Sequence, residues 1–160
     1  MKTTGKRILI ELGAVVFLVA FIWFMMRDGG TTGVSVSALT AALSEEGYLD
    51  DMEEASGRIL KKNLSLDAND YEELAYYAPI SFMDVNELLI IHDAGEDFSA
   101  AKEGIEAHLT AQKQTFENYG TDQYDLLQAA VIYEKDDYLV FIVGQQADEM
   151  LQSLKKQIEG

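Results

Sequence analysis

The groups in this sequence with the capacity for chemistry are two histidines, a large excess of carboxylates and a set of aromatic side chains between positions 71 and 124. His92 follows the apolar run LLII and adjoins Asp93, the pairing of imidazole and carboxylate that a general base uses, although chance proximity is the better reading. His108 sits near the apolar stripe of a long helical stretch and reads as a boundary residue. Two histidines exclude a three-histidine zinc site, and neither stands in an H-E-x-x-H arrangement. With no cysteine in the chain, a disulfide framework, a thiolate metal site and a cysteine nucleophile are all excluded.

Acidic pairs recur at Glu45 and Glu46, Asp50 and Asp51, Glu53 and Glu54, Glu72 and Glu73, and Asp136 and Asp137. A glycosidase needs two carboxylates about 5 to 10 Å apart across a cleft, and neighbours on one strand or helix point in different directions. No pair stands out from the rest. The segment from Asp67 through Asn69 to Tyr71 has the start of a calcium loop, but Glu72 occupies the place of its glycine and Ala78 that of its closing glutamate. A turn with a helix cap is the better reading. The G-x-S-x-G, Walker A and G-x-G-x-x-G patterns do not occur. The sequence therefore predicts no catalytic residue, no metal ligand and no cofactor.

The aromatic residues are more suggestive. Tyr71, Tyr76, Tyr77, Phe82, Tyr119 and Tyr124 cluster between positions 71 and 124. Core packing accounts for most of them, and the alternative is a recognition surface, because tyrosine joins apolar area to a hydroxyl. On that alternative the candidate binding residues are Tyr76, Tyr77, Phe82, Asp84, Tyr119 and Tyr124.

The elements that would position these groups read as α+β. A helix begins near Ser37, carries Leu39, Ala42 and Leu43 on one face and stops at Gly47; a second helical stretch covers residues 49–62. Tyr76 and Tyr77 and the run from Leu88 to Ile91 favour strands, joined through Pro79 and residues 81–84. The clearest helix covers residues 99–118, with Ala101, Ile105, Leu109 and Phe116 at three- and four-residue spacings. Thr121 caps a short helix, the strands AAVIYEK and YLVFIVG follow, and residues 146–158 form a closing amphipathic helix. Two hairpins separated by a helix predict a small antiparallel sheet with amphipathic helices on one face.

Ahead of this domain, residues 8–26 (ILIELGAVVFLVAFIWFMM) run 19 positions with one charge, close to the ~20 residues that span a bilayer core. Glu11 lies near one end of the run, where its carboxylate reaches the interface and avoids the roughly 2.5 to 3.5 kcal/mol cost of the bilayer centre. Lys2, Lys6 and Arg7 precede the span and only Arg27 follows it closely, which predicts a cytoplasmic N-terminus and a single-pass anchor. The expected organisation is a tip and anchor over 1–27, a linker over 28–33 and an extracytoplasmic domain over 34–160. From residue 28 onward 8 basic residues face 27 acidic ones, a charge of −19 that repels nucleic acid.

The segments EELAYYAPISFMDVNELLII, AQKQTFENYGTDQYDLLQAA and VIYEKDDYLVFIVG, in that order, resemble a family of membrane-anchored or secreted proteins from Gram-positive anaerobes known only as a domain of unknown function. The resemblance covers residues 71–144. It implies an external location and a shared fold and supplies no activity. Many relatives are lipid-anchored through a cysteine, and this chain departs from them by carrying a transmembrane segment. These readings together predict a binding or assembly module of the cell envelope, contacting an envelope protein or a wall component; the alternative is a hydrolase of wall polymer using paired carboxylates.

Overall fold

A computed structural model describes residues Gly33–Gly160 apart from Glu96 and Tyr119. The anchor and most of the linker lie outside the described residues. Among the described residues no helix is long and apolar enough to cross a membrane.

Helix α1 (Val36–Glu45) is capped by Ser35, whose side chain accepts a hydrogen bond from the Ala38 amide, two positions before the expected cap. Its first amide is taken by the Glu73 carboxylate at 2.6 Å, an anion placed where the helix dipole favours one. At the other end Gly47 adopts φ 78°, letting its own amide bond Ser44 and the Tyr48 amide bond Leu43, the Schellman arrangement. The predicted helix over residues 49–62 is replaced by a strand β1 (Met52–Glu54) and a shorter helix α2 (Gly57–Leu64). A 3-10 turn over Ala68–Asp70 follows, with the Asp67 carboxylate accepting from the Asn69 amide, so the calcium-like segment is the capped turn that its sequence indicated.

Strands β2 (Glu73–Pro79) and β3 (Glu87–His92) form the first hairpin. Helices α3 (Ser99–Phe116) and α4 (Thr121–Gln128) lead to the second, β4 (Val131–Lys135) with β5 (Tyr138–Val143). Asp136 turns this hairpin with φ 51°, a left-handed conformation that aspartate tolerates. Helix α5 (Ala147–Ile158) closes the chain. All pairings are antiparallel, and the strand order is β1-β2-β3-β5-β4.

Helices cover both faces of this sheet, which corrects the one-sided packing expected from the sequence. On one face Leu89, Ile91, Leu139 and Phe141 pack with Leu60 and Leu64 of α2, Ile105 of α3 and Leu127 of α4. On the other Leu88, Ile90, Val140 and Ile142 pack with Leu39 and Leu43 of α1 and Met150 and Leu154 of α5. Every residue of β3 and β5 is buried in consequence. The physical reason was present in the sequence: ELLIIH and YLVFIV do not alternate, and a strand with one wet face would.

Register fixes the two ends of the sheet. Glu73, His92, Tyr138 and Lys135 share one end; Pro79, Met52, Glu87 and Val143 share the other. The chain comes into the domain at the first end, where the Tyr138 hydroxyl donates to the Val34 carbonyl at 2.7 Å.

Candidate functional site

At the second end, three connections and helix α4 meet around a cleft of about 270 Å³. The turn after α1 brings Tyr48 and Asp51, held in place by the Gly47 arrangement, while the β2–β3 loop brings Asp84 and Asn86. Gln123 and Leu126 come from α4, and Gly144 and Gln145 from the turn after β5.

The loop is built around Asp84. Its amide bonds the Ser81 carbonyl, closing a tight turn, and its carboxylate accepts from the Val85 amide at 2.7 Å and the Asn86 amide at 3.3 Å. The second carboxylate oxygen accepts from the Asn86 side-chain Nδ2 at 3.3 Å. This last bond orients the asparagine amide, because the reverse orientation would set oxygen against carboxylate. The Asn86 Oδ1 is thereby turned away from Asp84, buried and without a partner in the protein. Gly144 faces it: a side chain there would place its Cβ 3.2 Å from that oxygen. Gln123 contributes a second buried acceptor, Oε1, that is likewise unpartnered. Both residues line the cleft, while these two oxygens are themselves closed off from solvent. The charged residues lining the cleft, Asp51 and Asp84, are both acidic.

The same loop carries the most exposed large apolar side chains among the described residues. Phe82 is 89% exposed, Ile80 63% and Met83 55%.

Of the residues singled out in the sequence, Asp84 lines this cleft and Phe82 stands exposed two positions before it in the same loop. Tyr124 is half-buried on α4 with its hydroxyl accepting from Gln128, next in sequence to Gln123. Tyr77 is half-buried on the opposite sheet face from Tyr76, beside a groove with Glu54 and Glu73. Tyr76 is only 2% exposed and lines no surface, and Tyr119 lies outside the described residues. Asn86 and Gln123 escaped the sequence reading because asparagine after a turn and glutamine in a helix are ordinary, and only packing shows their oxygens to be orphaned.

Neither histidine lines the cleft, and His92 Nδ1 is a third buried atom without a partner in the protein. His92 is buried, stacked on the Tyr138 ring with centroids 4.4 Å apart, while the Asp93 carboxylate accepts from the Glu72 amide. His108 Nε2 lies 2.9 and 3.0 Å from the two oxygens of Glu87, a carboxylate 2% exposed on the inner face of β3. Beside them Asn63 Nδ2 donates to the Tyr76 hydroxyl at 3.0 Å. Burial first, and the neighbouring Glu87 charge second, push the Tyr76 phenol well above its ordinary range. A raised native pKa means that the folded state holds this proton more tightly than the unfolded chain. Its stabilising contribution is whole below about pH 10 and is lost as pH rises toward the native value. Urea denaturation at increasing alkalinity is expected to show wild-type stability falling from about pH 10, and falling less steeply in Tyr76→Phe. Equal slopes for both proteins would contradict the assignment.

Residues 45–144 match the family described as domain of unknown function DUF4358. The chain belongs to that family. The DUF4358 match extends the resemblance over residues 71–144 toward the N-terminus, and it takes in all five strands with α2, α3 and α4. Asp51, Asp84, Asn86 and Gln123 lie inside it, as do Glu87 and His108, whereas α1 ends where it begins and α5 follows it. No curated protein and no solved structure matches the chain.

Proposed function

We propose that this DUF4358 protein is a membrane-anchored, extracytoplasmic binding or assembly module of the cell envelope, with the β2–β3 loop and the cleft beneath it as its contact surface. The observation that carries the reading is the exposure of Ile80, Phe82 and Met83 in one loop. Single exposed apolar residues are ordinary, but three within four positions on a tight turn are a patch of the kind that partners cover. The apolar span over residues 8–26 and its basic flank support the anchor and its orientation. Within the domain, Val34 is held by Tyr138 at the end of the sheet opposite the loop. A protein partner is favoured over wall polymer because the patch is apolar. Hydrolysis is disfavoured because the buried carboxylates Glu87 and Asp93 are both taken up by internal partners outside the cleft.

The test is in-cell crosslinking of the tagged full-length protein at native expression, with captured proteins read by mass spectrometry. Phe82→Ser is expected to reduce capture of the specific partner by about tenfold, in line with loss of an aromatic anchor. Glu11→Leu is expected to leave capture intact. Capture indifferent to Phe82 but abolished by Glu11→Leu would move the contact to the anchor and overturn the proposal.

A further inference from the structure

We infer that Met83 is an oxidation site, at which a peroxide converts the thioether to the sulfoxide and thereby weakens docking on the β2–β3 loop. The effect on docking rests on the contact surface proposed above, and the inference adds how that surface is regulated.

Three observations converge on this one sulfur. The chain contains no cysteine, so no thiol of its own competes for a two-electron oxidant, and its sulfur is confined to six methionines. Three of these lie among the described residues, and they differ widely in access: Met83 is 55% exposed, whereas Met52 is 8% exposed and Met150 2%. Susceptibility follows exposure, which singles out Met83. The third observation is what the added oxygen would disturb. Met52 and Met150 pack in the core on the side of the sheet that carries α1 and α5, where a polar sulfoxide would disrupt the fold. Met83 belongs to neither core, and its turn is held by polar groups. The Met83 amide donates to the Ser81 hydroxyl at 3.2 Å, and the Asp84 amide to the Ser81 carbonyl at 3.0 Å. An oxygen added at Met83 therefore changes the surface and leaves the loop in place, whereas at the other two sulfurs it is damage.

In the chemical step the Met83 sulfur lone pair attacks one oxygen of hydrogen peroxide. The S–O bond forms as the O–O bond breaks, and the departing hydroxide takes the proton from the transferred oxygen and leaves as water. Sulfur gives up two electrons and the peroxide accepts them. The new S–O dipole stands next to Phe82 in a loop whose exposed side chains were otherwise apolar. A partner covering Ile80, Phe82 and Met83 must then strip water from that oxygen without replacing its hydrogen bond, and an acceptor buried in this way is costly.

The probe is hydrogen peroxide itself. Cells carrying the tagged full-length protein at native expression are exposed to graded doses, quenched with catalase and divided between tryptic mass spectrometry of the recovered protein and chemical crosslinking. Cleavage after Arg27, Arg58, Lys62, Lys102, Lys135 and Lys155 places Met52, Met83 and Met150 on separate peptides, 28–58, 63–102 and 136–155. The 63–102 peptide is expected to gain one oxygen about tenfold faster than either of the others. Capture of the Phe82-dependent partner is expected to fall about tenfold once Met83 is oxidised. Met83→Leu, apolar and similar in size, is expected to capture as well as wild type and to keep its capture through peroxide treatment. Met83→Gln, which puts a polar group at the same place, is expected to capture about tenfold less without any peroxide.

Oxygen appearing on 28–58 or 136–155 as fast as on 63–102 would overturn the assignment of the site. Undiminished capture with Met83 fully oxidised would overturn the effect on docking, and so would an equal loss in Met83→Leu, which would place the oxidised group on the partner. If capture depends on Phe82 and ignores the oxidation of Met83, this inference falls alone. If capture ignores Phe82, the proposed surface falls and its regulation falls with it.

Discussion

Replacing His108 with leucine is expected to lower the unfolding free energy of the fragment 33–160 by about 3 kcal/mol. Glu87 sits on the inner face of β3 under α3, 2% exposed, and both of its oxygens are served by the single His108 Nε2. Leucine fills much of the same volume, so a cavity is not the main cost. The carboxylate is, because it would remain buried with its principal partner gone. The second half of the expectation separates this account from simple packing. Glu87→Leu combined with His108→Leu removes the charge along with its partner and should recover most of the loss, since apolar replacements of buried pairs are often neutral or better. Urea denaturation of the single and double variants, followed by far-UV circular dichroism, measures both. A single-variant loss below about 1 kcal/mol would show that Glu87 finds another partner or lies open to water.

The pair also marks a limit of sequence reading. Glu87 and His108 stand 21 positions apart, one ending a loop and the other midway along a helix, and only the placement of α3 across the sheet joins them. Local pattern was informative where it was strong. The LLII and LVFIV runs, the three- and four-residue spacing from Ala101 to Phe116 and the stripe from Ala147 to Ile158 each correspond to an element. Residues 49–62 misled because Met52, Ala55, Ile59 and Leu60 fall at helical spacing while Met52 to Glu54 pair with β2 instead. Ser56 and Gly57, an N-cap type followed by a helix breaker, were the evidence that the stretch divides there. The cleft was legible only in part. Asp84 and Phe82 were visible as turn and aromatic residues, but Asn86 and Gln123 come together only because the β2–β3 loop and α4 both reach the same cleft.

Gly104 yields the second large expectation, and here sequence and structure disagree in sign. Within the 18-residue helix α3 a glycine reads as a weak point, and exchanging it for alanine should gain about 1 kcal/mol from helix propensity. In the fold, α3 crosses the C-terminal end of α2 at this position. A Cβ on residue 104 would fall directly on the Leu64 carbonyl oxygen, with the Leu64 carbonyl carbon 3.2 Å away. That obstacle is backbone, and no rotamer change can move it. Leu64 is itself fully buried, and the chain leaves it through Ser65 in a left-handed conformation at φ 61°, so shifting the carbonyl means shifting the end of α2. Overpacking of this kind costs about 1 to 3 kcal/mol or more, enough to exceed the propensity gain. Gly104→Ala is therefore expected to destabilise the domain by about 2 kcal/mol, and Gly104→Val by more. Gly57→Ala is the control, because a Cβ there meets nothing within 4 Å, and it should be neutral or mildly stabilising. If Gly104→Ala proved as benign as Gly57→Ala, α2 and α3 would not be in contact at Leu64. The face of the sheet that holds Glu87 and His108 would then be packed differently, and the loss expected for His108→Leu would shrink with it.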